Sequence, residues 1–236
     1  MSSRMAFCIL TVFLLMLPTV RAIALEVNIA IDGNLDDWKD IPVLIEDPDD
    51  VGEDNGDIKE VRIYSTEDTF YAMLTVYGTA APQDALRYYY HILIDADNDL
   101  NTGFDNAMYE GNQTGVKNSI GADFYVQVGR RSGADDGIEV YFLTNNTEDV
   151  VAQDFLWAAG GDSMEIAVPF EMFTPLQNIG DIFQVKQTIM IAAFQEGSAN
   201  DWEVDWTESA EHVIGAPIAV EPVSKLPVTW AGLKLF

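Results

Sequence analysis

Apolar side chains recur at every second position in a series of short runs. Val61 and Ile63 alternate with Glu60 and Arg62, and Phe70, Ala72, Leu74 and Val76 alternate with Tyr71, Met73, Thr75 and Tyr77. Further runs follow at Tyr88–Asp95, Ala122–Val128, Ile138–Leu143, Met164–Val168 and Thr188–Phe194. Successive side chains on an extended chain point to opposite faces, so this period predicts strands with one face turned to a core. Enrichment in β-branched and aromatic residues, with Gly, Asn and Asp between the runs, predicts that they pair antiparallel. No helical stripe of comparable length is present, and the best helix candidate is a short turn at Phe170–Phe173, after Pro169. The expected architecture is all-β: one sandwich of two antiparallel sheets.

Such a sandwich needs apolar material, and the chain has it: 48% of its residues are hydrophobic and 11% aromatic, which excludes the composition of a disordered acidic segment. The charge is nonetheless extreme, with 39 acidic and 12 basic residues and a formal net charge of −27. A surface of that sign repels nucleic-acid phosphates and anionic membranes, leaving cations, neutral polymers and basic proteins as partners.

Residues 1–22 read as an export signal. Arg4 precedes an apolar run from Met5 to Val20, and Val20-Arg21-Ala22-Ile23-Ala24 offers small residues for cleavage. The run contains Pro18 and is shorter than the roughly 20 residues a membrane-spanning helix requires. Cleavage would remove Arg4 and Arg21 and no acid, taking the net charge from −27 to −29, together with the only cysteine, Cys8. The mature protein, secreted or periplasmic, would then have no disulfide and no thiol chemistry. Residues 23–215 are expected to form the sandwich. Residues 216–236 form a distinct tail with Pro217, Pro222 and Pro227 and an apolar end, which would sort, tether or complete a sheet.

Two acidic stretches interrupt the strands. Asp95-Ala-Asp97-Asn98-Asp99-Leu-Asn101 follows the Tyr88–Ile94 run directly. Oxygen ligands at alternate positions suit a hard cation such as calcium, which takes six to eight of them. The spacing departs from a helix–loop–helix calcium loop, because Leu100 replaces the turn glycine, Asn106 replaces the closing glutamate and the flanks are strands. Asp95, Asp97, Asp99 and Asn101 are candidate ligands on this spacing. Glu46–Glu60, with eight acids, has looser spacing and is expected to be a solvated face, with Asp54, Asn55 and Asp57 as weaker metal candidates.

In chain order, Ile31-Asp-Gly-Asn-Leu-Asp-Asp-Trp38, Gly56-Asp-Ile-Lys59, Glu67-Asp-Thr-Phe-Tyr71, Ile94–Asp99 with Thr102-Gly-Phe104, Gly121-Ala-Asp123-Phe-Tyr125 and Met164-Glu-Ile-Ala-Val-Pro169 form an ordered set. The set resembles the sugar-binding domains similar to family 9 carbohydrate-binding modules, within the DOMON-like superfamily, over roughly residues 28–215. The resemblance implies a jelly-roll-like sandwich, structural calcium held by Asp95, Asp97 and Asp123, and a saccharide between aromatic side chains. The family's stacking tryptophans have no matching positions here.

Candidates for the sugar contact come from local chemistry instead. Trp202 and Trp206 flank Glu203-Val-Asp205 in a polar segment, and aromatic faces beside carboxylates suit a saccharide; packing into the core or rim is the competing reading, and it weighs more on Trp157. Trp38 is expected to plug one end of the sandwich. Some DOMON-like proteins carry haem, but His91 sits within a strand among tyrosines, His212 lies near the domain's end, and a haem needs an axial pair facing one apolar pocket. A haem cofactor is therefore disfavoured. No serine elbow, phosphate loop or histidine cluster points to catalysis. The sequence reads as a non-catalytic, calcium-bearing carbohydrate-binding module, with a structural or adhesive surface domain as the alternative.

Overall fold

In the computed structural model, residues 27–83, 87–103, 120–144, 147–173, 183–184, 187–196 and 204–216 are described. They lie within one compact unit, Glu26–Ile218. The signal segment, residues 104–119 and the tail beyond residue 216 fall outside the described residues.

Among the described residues, twelve strands form two antiparallel sheets. The smaller has the order β1-β2-β3-β9-β8 and contains β1 (Ile45–Glu46), β2 (Ile58–Ser65), β3 (Thr69–Val76), β8 (Leu156–Gly160) and β9 (Ser163–Pro169). The larger has the order β11-β10-β4-β5-β6-β7, with β12 also on β10. It contains β4 (Arg87–Asp95), β5 (Phe124–Arg131), β6 (Ala134–Thr144), β7 (Thr147–Gln153), β10 (Thr188–Glu196), β11 (Val204–Trp206) and β12 (Ala210–Val213). The alternating runs thus become β2, β3, β4, β5, β6, β9 and β10. Period two did not reveal β7, because this edge strand is mostly exposed and its partly buried residues, Val151 and Ala152, are adjacent rather than alternating. Its Glu148 and Asp149 also oppose edge-to-edge pairing with other chains.

β11 and β12 act as one kinked edge strand. Thr207 lies between them, donates its N–H to the Ala193 carbonyl at 3.0 Å, and accepts the Ala193 N–H on its hydroxyl at 2.9 Å. Its side chain continues the ladder where the backbone bends away.

The core follows from the alternation. Val61, Ile63, Phe70, Ala72, Leu74, Val76, Met164, Ile166 and Val168 of the smaller sheet meet Tyr88, Tyr90, Ile92, Ile94, Phe124, Val126, Val128, Val140, Ile189 and Ile191 of the larger. The short 3-10 turn at Phe170–Phe173 delivers Phe173, fully buried and edge-on to Phe70 and Phe124 at centroid distances of 6.3 and 5.4 Å.

Trp38 takes a different place from the end plug expected of it. It packs with Ile41 on the outer face of the smaller sheet, over Met73. Tyr64 and Tyr71 flank this second cluster, and Met73, which alternates with the core-facing Ala72 and Leu74, is buried in it. The contact is organised by Glu165 of β9, which pairs with Met73 and is wholly buried. Its Oε1 accepts the N–H groups of Asp32 and Gly33 at 2.7 and 2.5 Å, and its Oε2 accepts the Trp38 indole N–H at 2.8 Å. Gly33, at φ 82°, turns the chain so that consecutive amides reach the same oxygen. Two parts of the ordered sequence set, Asp32–Trp38 and Met164–Pro169, are therefore direct partners.

Hydrogen bonds to a charged group contribute about 1.5–3 kcal/mol each, and orphaned buried donors carry a further desolvation cost. Glu165→Ala is expected to destabilise the fold by about 3 kcal/mol or more in urea unfolding. Glu165→Gln, which keeps one acceptor oxygen, should fall between alanine and wild type.

Candidate functional site

The Asp95 loop is assembled by strand register. Asp95 ends β4 and Asp123 immediately precedes β5; because Ile94 pairs with Phe124, the two acids fall beside one another, with the Asp123 N–H on the Ile94 carbonyl at 2.9 Å. The chain then turns on itself. Asn98 adopts φ 55°, a left-handed conformation that asparagine tolerates, and its N–H returns to Asp95 Oδ1 at 2.7 Å. Asp123 Oδ2 accepts the N–H groups of Ala96 and Asp97 at 2.9 and 3.3 Å. Asp97 Oδ1 accepts from the Asp99 N–H at 3.0 Å and the Thr102 hydroxyl at 3.1 Å.

Gly103 and Gly121 explain why the segments before and after residues 104–119 can cross here. A Cβ on Gly103 would run into the Gly121 carbonyl, and one on Gly121 would lie 2.8 Å from the Asp99 carbonyl oxygen. Both residues have φ +67°, which also favours glycine. The Thr102-Gly103 and Gly121-Ala-Asp123 pieces of the sequence set are thus two sides of one crossing.

The result is a cluster of Asp95, Asp97 and Asp123 with carboxylate oxygens all within 4.8 Å of one another. Asp95 is wholly buried, and its Oδ2 has no hydrogen-bond partner among the described residues. Charges this close repel by a few kcal/mol even at an effective dielectric of about 20. Burial, opposed by the Asn98 N–H and reinforced by Asp123 and Asp97, pushes the Asp95 carboxyl up to about 6. Burial likewise pushes Asp123 up to about 6, with the Asp97 charge adding to it. An orphaned buried oxygen facing two further carboxylates is an oxygen-only donor set that a hard cation could fill.

Asp99 and Asn101, expected as ligands from the spacing, stand outside this cluster. Asp99 Oδ1 accepts both the backbone N–H and the side-chain amide of Asn101, at 3.0 and 2.7 Å, and both residues are exposed. These bonds hold the Asp99 carboxyl below its ordinary range. The alternation continued in sequence, but the loop had already turned away from Asp95.

The Glu46–Glu60 run is only partly the solvated face expected of it. Glu46, Asp49, Asp50 and Asp54 are exposed, whereas Asp47 and Asp57 are buried. Asn55, a weaker metal candidate, instead accepts the Thr79 N–H on its side chain at 2.7 Å and the Tyr90 hydroxyl on its carbonyl at 2.9 Å.

The aromatic candidates separate. Trp206 is buried on the outer face of the larger sheet among Leu93, Ile120, Ala122, Tyr125 and Leu143, so it presents no open ring face. Trp157 is half-buried against the core, with the Arg130 guanidinium 5.4 Å from its ring centroid. Trp202 lies outside the described residues. The same outer face carries a tyrosine and carboxylate array that the periodicity left unmarked. The Tyr125 hydroxyl donates to Glu148 at 3.0 Å, Tyr89 donates to Asp136 and Tyr141 to Glu139, and the Tyr125 and Tyr141 rings lie 4.4 Å apart. His91 is buried beside them with Nε2 2.8 Å from the Gln127 carboxamide oxygen, and His212 Nε2 lies 2.8 Å from the Ser65 hydroxyl.

No family model matches the chain. No curated protein matches it either.

Two outcomes follow from this geometry. A carboxyl whose folded-state pKa is raised from 3.8 to about 6 favours folding below the lower value, and that contribution is lost as pH rises through the higher one. With chelator present, Asp95→Asn should therefore melt above wild type at neutral pH and lose that advantage below about pH 4, read by thermal denaturation across pH. Trp206→Ala is expected to cost about 3–5 kcal/mol in chemical denaturation, the range for emptying a buried aromatic site.

Proposed function

We propose that the protein is an exported, non-catalytic carbohydrate-binding β-sandwich whose Asp95 loop is closed by structural calcium. The observation that carries the calcium reading is Asp95 Oδ2, buried without a hydrogen-bond partner among the described residues, on a carboxylate grouped with those of Asp97 and Asp123. A bound calcium would supply charge neutralisation and oxygen coordination there, and the chain's own part is to hold the three carboxylates converged through the Asn98 turn and the Gly103–Gly121 crossing. The saccharide reading is supported by the ordered resemblance to family 9-like modules. The pairing of its pieces supports it further: Asp32–Trp38 with Glu165, and Asp95–Gly103 with Gly121–Asp123. Export is supported by the charged, apolar and small-residue order of residues 1–22.

One observation favours a second reading, a surface domain with a structural or adhesive role and no saccharide. Trp206 is sealed in a cluster and Trp157 lies against a guanidinium, which leaves Trp202 as the surviving stacking candidate of the three. A glycan array separates the readings. Binding that is lost in Trp202→Ala, with the fold intact, supports the carbohydrate module; silence across neutral and acidic glycans supports the structural domain.

A cation bound only by the folded state stabilises it by RT ln(1 + [L]/Kd), about 2.7 kcal/mol at a hundredfold excess over Kd. Calcium should raise the thermal midpoint and chelator should lower it. Because the buried carboxylates must lose their protons to bind metal, that increment is expected to be larger at about pH 7.5 than at about pH 5. His212, held down to about 4 by burial, opposes folding as pH falls from 6.5, but it acts equally with and without calcium and cancels in the difference. A midpoint indifferent to chelator would refute the calcium assignment.

A further inference from the structure

A second group of acids takes no part in the Asp95 loop. Asp47 follows β1, Asp57 immediately precedes β2, and Asp205 is the middle residue of β11. All three are buried, and their carboxylate oxygens lie within 4.8 Å of one another. They come from both layers of the sandwich, since β1 and β2 belong to the smaller sheet and β11 to the edge of the larger.

The surrounding backbone is built to hold them. Asp205 Oδ2 accepts the Ile58 N–H at 2.6 Å, across the two sheets, and its Oδ1 accepts the Trp206 N–H at 2.7 Å. The Asp57 N–H donates to the Glu53 carbonyl at 3.0 Å, and the Tyr77 N–H donates to the Asp57 carbonyl at 3.0 Å. The Tyr77 hydroxyl donates to the Asp47 carbonyl at 2.9 Å. These contacts converge the acids at the seam without removing their charge.

Asp57 supplies the second, independent observation. Its residue surface is wholly buried; Oδ2 accepts the Val51 N–H at 3.1 Å, but Oδ1 has no hydrogen-bond partner among the described residues. Asp205 and Asp49 add their negative charge to that of Asp57, and the Asp49 side chain lies within hydrogen-bonding reach of the Asp57 carboxyl. A water molecule could satisfy the orphaned oxygen but would leave the clustered charge in place. A hard divalent cation does both, and a donor set of carboxylates without nitrogen or sulfur suits calcium over zinc or copper.

We propose that Asp47, Asp57 and Asp205 form a second calcium site, which pins the edge strand β11 of the larger sheet to the β1–β2 side of the smaller one. It differs from the Asp95 site in what it joins. Asp95 and Asp123 lie at the ends of neighbouring strands of one sheet, whereas this site draws its acids from both sheets.

The test is calcium bound per chain, measured by equilibrium dialysis and elemental analysis of the purified protein. Asp57→Asn is expected to bind one calcium fewer than wild type, and Asp95→Asn separately one fewer, so failure of either site is read without reference to the other. An Asp57→Asn protein that binds as much calcium as wild type overturns the second site, whatever Asp95→Asn does. Melting supplies a second readout. Asparagine keeps an oxygen for the Val51 N–H while removing a buried charge, so the variant should melt no lower than wild type in chelator but lower than wild type in calcium. A drop of the same size in both solutions would make Asp57 a structural acceptor only and overturn the proposal. Asp205→Asn repeats the calcium count from the other sheet if Asp57→Asn fails to fold.

Discussion

A carboxylate taken out of water has to be met by donors or by a cation, and this chain buries six of them among its described residues: Asp47, Asp57, Asp95, Asp123, Glu165 and Asp205. Glu165 is met by donors alone. Three N–H groups reach its two oxygens, and in doing so they anchor Asp32, Gly33 and Trp38 over the outer face of the smaller sheet. Among the aspartates, Asp205 accepts an N–H on each oxygen, whereas Asp95 and Asp57 are met only in part. Each cluster recruits backbone N–H groups, yet Asp95 Oδ2 and Asp57 Oδ1 have no hydrogen-bond partner among the described residues. Where donors suffice, the acid is a structural clamp; where they fall short within a group of like charges, the arrangement asks for a cation.

This distinction gives the net charge of −27 a different meaning from the one composition alone suggests. Exposed acids such as Asp49, Asp50 and Asp54 make a repulsive surface that disfavours anionic partners. The buried aspartates sit beside strand ends or on an edge strand, at points where segments distant in sequence meet. The first kind acts on the surroundings of the protein. The second kind organises its interior, and the two are chemically identical residues.

The sheets were legible because a strand with one buried face must alternate, and β2, β3, β4, β5, β6, β9 and β10 do. The strands that the pattern missed have physical reasons to be missed. β7 is mostly exposed, β1 spans two residues, and β11 and β12 are fragments of one edge interrupted at Thr207. The burial of Met73 was not legible, because alternation says which side of a strand a residue occupies but not whether that side is covered. Trp38 and Ile41 cover it, from a segment with no period of its own. The candidate site was legible in the same measure. Alternating aspartates after a strand marked Asp95 and Asp97, while Asp99 and Asn101 continued the pattern beyond the point where the Asn98 turn ends its geometric meaning.

From the sequence alone follow the all-β class, the strands with a buried face, and the presence of acids at their ends, because these depend on periods of a few residues along one chain. Only the tertiary structure decides which acids converge. Asp123 reaches Asp95 through the β4–β5 register, Asp205 reaches Asp57 across the two sheets, and Glu165 meets Trp38 from more than a hundred positions away. Those pairings depend on how strands are ordered and which faces are covered. A Trp206 turned into a packed cluster and a Trp206 open to solvent are written with the same letters; burial by distant residues separates them.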